Sequence, residues 1–434
     1  MITFAFQHWN VEYEWWCPNT VPHDFIVNGV KTLPLTHDWQ WFDVRYIADL
    51  DQDRETKAFA CPAVKQDFLY DSGCNVYYTI LDDVVGKEKY IFPIMVKNTD
   101  YFRLNDQGFD LLDPRVFQDV YAGRARIVVI FPLEGTSGHN GPHENDFKIL
   151  DSWCKKHNLN STQVYYINGN LKCQQLAEGM DFTAVPVNSF ISWVLWMPDS
   201  ISEFKPKNNK NLFLSYNRRP RPHRTVLLCE LIRANLLGRG LVSYGGDHIK
   251  NSVWRINQFE INRPGLEPEA KILDSLIPME IDLNLVENNP AFSLEQTHYE
   301  STFLSVVPET LYDEGTLFFS EKTWKTIAAG HPFFLISSPG MLRSLRSMGF
   351  YTYGSFWSEA YDEFKTIDDR IRAVVNELQK LSSLSEDKLV RLRNDMRPII
   401  EHNQQHFRNI WQRSRQNKAQ RLLLDSVEEI WNSF

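Results

Sequence analysis

"LFFSEKTWKTIAAGHPFFLISSPG" (317–340) changes its pattern twice within a short span. An apolar run stops at Ser320, and small and apolar residues then recur at helical spacing from Glu321. Gly330 and Pro332 interrupt that pattern, and a second apolar run follows. The stretch predicts strand, turn, helix and strand, with Ser320 as N-cap and a helix from Glu321 to about Ala329. The pair Glu321-Lys322 then stands at a helix N-terminus, where unsatisfied N–H groups and the positive dipole end favour anions. Lys322 supplies a mobile charge for a phosphate, and Glu321, an acceptor only, suits the vicinal hydroxyls of a ribose. A capped helix start with an ion pair between neighbours gives the same pattern.

Working outward, "LFLSY" (212–216) reads as a strand, the run 225–240 as a helix stopped by Gly238 and Gly240, and "LVSYGG" (241–246) and "STFLSVVPET" (301–310) as further strands. The first half carries strand-like runs at 2–6, 42–47, 76–81, 90–96, 126–131 and 163–167, with a helical segment at 143–157. Beyond Gly349 the pattern is helical. Ile371, Val374, Val375 and Leu378 share one helix face, Ser385 is placed to cap another helix, and a terminal amphipathic helix covers about 418–433. Strand–helix alternation on both sides of a polar stretch predicts two Rossmann-like α/β domains facing a cleft, with a helical C-terminus. The expected domains are 1–201 and 212–395, joined by a linker at 202–211, with helices at 396–434 packing back toward the first domain.

The bulk properties agree with this division. A chain of 434 residues exceeds what one core usually covers, and 43% hydrophobic with 23% charged residues describes a globular protein. Aromatic content is 13%, including 13 Trp, which serves a large core or stacking surfaces for sugars and bases. The six cysteines (17, 61, 74, 154, 173, 229) show no C-x-x-C spacing. "MITFAF" is too short for a signal sequence, and no apolar run reaches the roughly 18–20 residues of a membrane span. A reducing cytoplasmic setting is expected. The first 200 residues hold 16 Lys+Arg against 26 Asp+Glu, which argues against a broad phosphate-binding surface there.

Residues 205–224 reverse that balance, with seven Lys or Arg and no acid. Arg218, Arg219, Arg221 and Arg224 directly follow the strand at 212–216, at the edge where open α/β sheets bind ligands. Forked guanidinium groups there suit a phosphate or pyrophosphate. A solvated loop or an Arg–carboxylate cluster would read the same way.

The segment "STFLSVVPETLYDEGTLFFSEKTWKTIAAGHPFFLIS", with "FLSYNRRPRPHRTVLLCEL" upstream, resembles the donor-site region of α-1,3-fucosyltransferases and related GT-B glycosyltransferases. Glu309, Ser320, Glu321, Lys322, Gly330 and Pro332 occupy the matching places, and Arg224 matches the arginine that heads the upstream helix. The resemblance covers roughly residues 210–355. It departs from the family pattern where Ser320 replaces Thr and where the loop carries extra arginines. It implies that Glu321 binds the donor ribose, that Lys322 and Arg224, with Arg218 and Arg219 close by, bind the pyrophosphate, and that Glu309 lies near the sugar. The implied reaction is inverting transfer of a sugar from a nucleotide donor, with no metal or other cofactor required. Chains of this kind are expected in phage genomes.

The acceptor hydroxyl needs a base, which the facing N-terminal domain should supply. The candidates are Glu134, His139 and His8, each just past a strand. Two rival readings remain open. Asp51-Gln-Asp53 could hold Mn²⁺ or Mg²⁺ in a metal-dependent GT-A enzyme. The basic 205–224 stretch could instead bind nucleic acid without catalysis. The acceptor is a glycan or a hydroxymethylated base in phage DNA, the latter to be reached in the major groove or flipped out.

Overall fold

The alternation of apolar runs with amphipathic segments is realised as two parallel sheets. The computed structural model describes residues 2–9, 20–22, 26–27, 30–31, 76–95, 112–131, 146–187, 210–218, 220–245, 265–279, 281, 294–312, 314–416 and 421–434. The chain divides into one unit of residues 1–189 with 412–434 and another of residues 190–411.

The first unit contains β1 (Ile2–Trp9), β2 (Thr20–Pro22), an antiparallel pair β3 (Ile26–Val27) and β4 (Val30–Lys31), β5 (Val76–Ile80), α1 (Leu81–Val84) and β6 (Tyr90–Met95). It continues through α2 (Pro114–Tyr121), β7 (Ala125–Phe131), α3 (Asp146–Lys156), β8 (Val164–Asn168), α4 (Cys173–Leu176) and β9 (Thr183–Pro186). The main sheet runs β2-β1-β6-β7-β8-β9, with β5 also on β1, and every pairing is parallel.

The near-continuous apolar strands of this sheet have a direct cause, because both faces are covered. On one face Phe92, Ile127, Val129 and Tyr166 pack with Val116 and Val120 of α2 and with Phe147 and Leu150 of α3. The intervening residues Ile91, Val128 and Ile167 point the other way. They pack against Val427 and Ile430 of α12 (Arg421–Asn432). The C-terminal helix is therefore the second cover of the N-terminal sheet, and its Ser433 hydroxyl meets the Tyr165 hydroxyl at 3.1 Å.

The second unit runs β10 (Asn211–Asn217), α5 (Pro222–Arg233), β11 (Gly240–Tyr244), α6 (Glu267–Leu276), α7 (Gln296–Glu300), β12 (Thr302–Pro308), α8 (Glu321–Ala328), β13 (Phe333–Ile336) and α9 (Met341–Ser347). The helices α10 (Ile367–Ser382) and α11 (Glu386–Gln416) follow. Its sheet has the order β11-β10-β12-β13, again all parallel. All of β12 and β13 is buried. Trp324 of α8 is fully buried against Phe319, Phe350 and Phe407 of α11. His331, just past α8, accepts or donates between Ser305 Oγ at 2.7 Å and the Thr302 carbonyl at 2.9 Å, which fixes the return to β13.

Several local expectations are corrected. The helix expected over 225–240 spans Pro222–Arg233. Its stop is Asn235, in the left-handed region at φ 59°, because a short polar side chain tolerates that conformation. Gly240 begins β11 instead, where a Cβ would stand 2.4 Å from the Phe213 ring. Of the linker expected at 202–211, residues 202–209 lie outside the described residues. Helix α11 runs through residue 396 and past residue 411, where the second unit ends. The strand expected at 42–47 also lies outside the described residues.

Ile430 is 3% exposed and fills the contact between α12 and the first sheet. Ile430→Ala should destabilise the first unit by about 2–4 kcal/mol through lost transfer energy and a residual cavity. Glu429→Ala, at an exposed position on the same helix, should leave denaturant unfolding unchanged.

Candidate functional site

Strand order selects the place to look. β10 has β11 on one side and β12 on the other, so the connections leaving β10 and β12 diverge. In an open parallel sheet this is the switch point, and a crevice forms there beyond the carboxyl ends of the strands. Asn217 ends β10 and Pro308 ends β12, and the helices α5 and α8 both start beyond them.

Glu309 joins these pieces. It is fully buried, one residue past β12. Its carboxylate accepts from the backbone N–H groups of Thr310 at 3.2 Å and Ser320 at 3.1 Å, and from the Thr323 hydroxyl. Its carbonyl accepts from His223 Nε2 at 2.8 Å and from Arg224 Nη2 at 3.3 Å. One residue thus ties the start of α5 and the start of α8 to the end of β12. The expectation placed Glu309 beside a donor sugar; in the structure both carboxylate oxygens are engaged within the protein.

The start of α8 is the one expected. Ser320 is its N-cap, with extended backbone and a side chain that accepts from Lys322 N at 3.3 Å. Lys322 Nζ lies 2.9 Å from Glu321 Oε1 and 3.3 Å from Ser320 Oγ. The ammonium is folded over its own helix N-terminus, at the positive dipole end, where a cation is disfavoured. Glu321 offsets it. Burial would raise the Glu321 carboxyl, but Lys322 and Lys325 outweigh that and bring it down to about 2 from 4.5. An anion arriving here would take over the role that Glu321 performs alone.

The start of α5 contributes the remaining charge. Its N-cap, Arg221, is extended and makes no side-chain cap hydrogen bond. Arg224 is 3% exposed, and its Nη2 donates to the Pro308 carbonyl at 3.2 Å as well as to that of Glu309. Arg224 was expected to bind a pyrophosphate; in the structure its Nη2 is bonded to the two carbonyls at the end of β12. Arg218 is half-buried, its carbonyl accepting from Gly245 N at 3.1 Å. Among the described residues its guanidinium has no ion-pair partner.

Sequence reasoning passed over His223. It is wholly buried with its ring against Tyr312, centroids 4.4 Å apart. The Glu309 carbonyl can only accept, so Nε2 carries the proton and Nδ1 is left as an acceptor without a hydrogen bond. Burial first, then the charges of Arg224, Arg221 and Lys322, hold this imidazole well below 6.5, against the opposing Glu309 contact. His223 is thus held neutral beside the end of β12. Thr323, the second side chain missed, bonds the Glu309 carboxylate at the end of β12, a contact that no local spacing signals.

Of the remaining candidates, His8 lies near the end of β1 in register with Val21, at the corresponding edge of the first sheet. Arg219, Glu134, His139, Asp51 and Asp53 lie outside the described residues. Among the described residues no group of three or more His, Cys, Asp or Glu is placed to hold a metal ion, and no helix is long and apolar enough to cross a membrane.

No protein-family model matches the sequence, and no curated protein matches it. Solved structures similar to the chain include a mutant O-GlcNAc transferase from Thermobaculum terrenum, with 14% identity, a TM-score of 0.38, and coverage of 83% of this chain and 63% of that one. The DNA-modifying enzyme β-glucosyltransferase, solved with and without uridine diphosphoglucose, has 10% identity and a TM-score of 0.36, covering 80% and 87% of the two chains. T4 phage BGT in complex with UDP and Mn²⁺ has 12% identity and a TM-score of 0.34, covering 83% and 90%.

Two outcomes test this geometry. Glu309→Ala should cost about 2–4 kcal/mol in chemical unfolding, because buried donors from Ser320 and Thr323 lose their acceptor. Glu321, depressed when folded, contributes stability that is complete above about pH 4.5 and lost as the pH falls through about 2. Lys322→Met should move the Glu321 carboxyl titration upward, read by carboxyl-carbon NMR; an unmoved titration would discard the ion pair.

Proposed function

We propose that the chain is a GT-B-type glycosyltransferase whose second unit binds a nucleotide-diphosphate sugar at the β10/β12 switch point. The observation that carries this reading is the closure of two separate helix starts on one residue, Glu309, whose carbonyl accepts from His223 and Arg224 of α5 and whose carboxylate accepts from Ser320 and Thr323 at the start of α8. The concentration of positive charge at the carboxyl edge of a parallel sheet suits a diphosphate. The resemblance of residues 210–355 to the α-1,3-fucosyltransferase donor region supports the same assignment.

In this reading the diphosphate lies across the uncapped start of α5 and the start of α8. Its charge draws Lys322 away from Glu321. The Glu321 carboxylate, already ionised, is then released to accept hydrogen bonds from the ribose hydroxyls. As the bond from the anomeric carbon to the diphosphate oxygen breaks, negative charge grows on the leaving group. Lys322, Arg218, Arg219 and the two helix ends stabilise that charge, and Arg224 reinforces it from beneath. The helix ends and Arg224 are in place before reaction, so their contribution needs little rearrangement. The acceptor oxygen attacks the opposite face, giving inversion, and its proton passes to a base, with Glu134, His139 and His8 as the candidates. The scheme needs no metal. The acceptor is a glycan or a hydroxymethylated base in DNA.

A panel of nucleotide sugars, read by thermal shift and donor hydrolysis, identifies the donor. EDTA then separates this scheme from a metal-dependent one that uses Asp51 and Asp53. Lys322→Ala should lower turnover by roughly 10²–10³-fold. Full turnover in Lys322→Ala would end the donor-site assignment.

A further inference from the structure

Away from the switch point, the second unit carries a groove between α10 and the segment 358–364. Its volume is about 450 Å³. That lies within the roughly 300–1,000 Å³ range of small-molecule sites. None of its lining residues comes from β10, α5, β12 or α8. One wall is a stripe of α10 at helical spacing, Ala373, Asn376, Glu377 and Lys380, and the other includes Tyr361 and Phe364.

We propose that this groove binds a neutral oligosaccharide. Three observations select that chemistry. Phe364 is 39% exposed, a large apolar surface held at the groove instead of in the core. Its place is fixed because Arg370 Nη1 donates to the Phe364 and Lys365 carbonyls at 2.5 and 3.1 Å, while Arg370 Nη2 donates to the Tyr312 carbonyl at 2.8 Å. The backbone that carries the ring is therefore held in place, and a ring with only two side-chain torsions costs little entropy to use.

Asn376 and Gln379 both line the groove, and neither side-chain amide is bonded to another described residue. Each offers a donor and an acceptor, which is the complement of vicinal hydroxyls. The groove is also electrically balanced. Glu377 and Lys380 neutralise each other at 2.7 Å, so neither an anionic nor a cationic ligand gains a net counter-charge.

A pyranose presents an apolar C–H face to a ring and a rim of hydroxyls to amides. A neutral sugar chain meets both features without a charge to compensate. A free peptide would bring backbone N–H and C=O groups, and the groove offers no strand edge to pair them. The site does not depend on the donor assignment. It would hold a carbohydrate whether or not the switch point binds a nucleotide sugar.

The test uses the full chain and saturation-transfer NMR with maltotriose, cellotriose, laminaritriose and chitotriose. At least one should receive transfer, strongest at ring C–H protons. Phe364→Ala should weaken that binding by roughly 10-fold or more, as loss of an aromatic anchor does. Gln379→Leu, an exposed change that keeps the fold, should weaken it as well. A UDP titration, run on each variant, should be unchanged, so failure here is distinguishable from failure at the donor site. The proposal is overturned if no trisaccharide receives transfer, if binding survives in both variants, or if an unstructured peptide library displaces the sugar.

Discussion

The second unit depends on one buried acid. Glu309 follows the central strand β12, and its carboxylate and carbonyl together accept hydrogen bonds from α5, from its own loop and from α8. A fully buried carboxylate is tolerated only when its oxygens are satisfied, and here backbone N–H groups and a hydroxyl satisfy them. The consequence is geometric. Two helix starts that are about a hundred residues apart in sequence are held around a single residue, so any charge at either start is felt at the other.

That clamp explains why so much positive charge is stable in one place. Lys322 at a helix N-terminus and Arg221 at an uncapped one are each unfavourable alone. Glu321 compensates Lys322 directly, and burial keeps His223 neutral so that it adds no further charge. Arg224 spends its donors on carbonyls at the strand end. The arrangement keeps a residual positive field, with the Arg218 guanidinium outside any ion pair among the described residues and His223 Nδ1 without a hydrogen bond. Binding an anion there requires moving one lysine, not rebuilding the floor.

The two units solve the problem of covering a parallel sheet differently. In the first, α2 and α3 take one face, and α12, from the far end of the chain, supplies the other. In the second, α11 reaches back over α8, with Gln404 donating to the Ala328 carbonyl at 3.0 Å and Trp324 packed on Phe407. The C-terminal segment therefore contributes to both cores. Folding of the first unit cannot be complete until the last residues are available.

Much of this was legible in the sequence, because it is local. The switch of period at Ser320 identified the cap, the helix and the following strand, since a serine before a helical pattern satisfies its first N–H groups wherever it occurs. The strand runs at 90–96 and 126–131 were legible because a sheet covered on both faces demands near-continuous apolar residues, and those at 2–6 and 76–81 carry the same apolar pattern. Burial and partnership were not legible. Nothing in "NRRPRPHR" separates Arg224, which lies beneath the crevice, from Arg218 at its rim; that is decided by which carbonyls β12 brings to the helix. Gly240 reads as a helix stop until Phe213 of the neighbouring strand occupies the space a side chain would need. The sequence by itself determined the elements and their polarity. Only the tertiary structure decided which charges converge, because convergence depends on contacts between residues far apart in the chain.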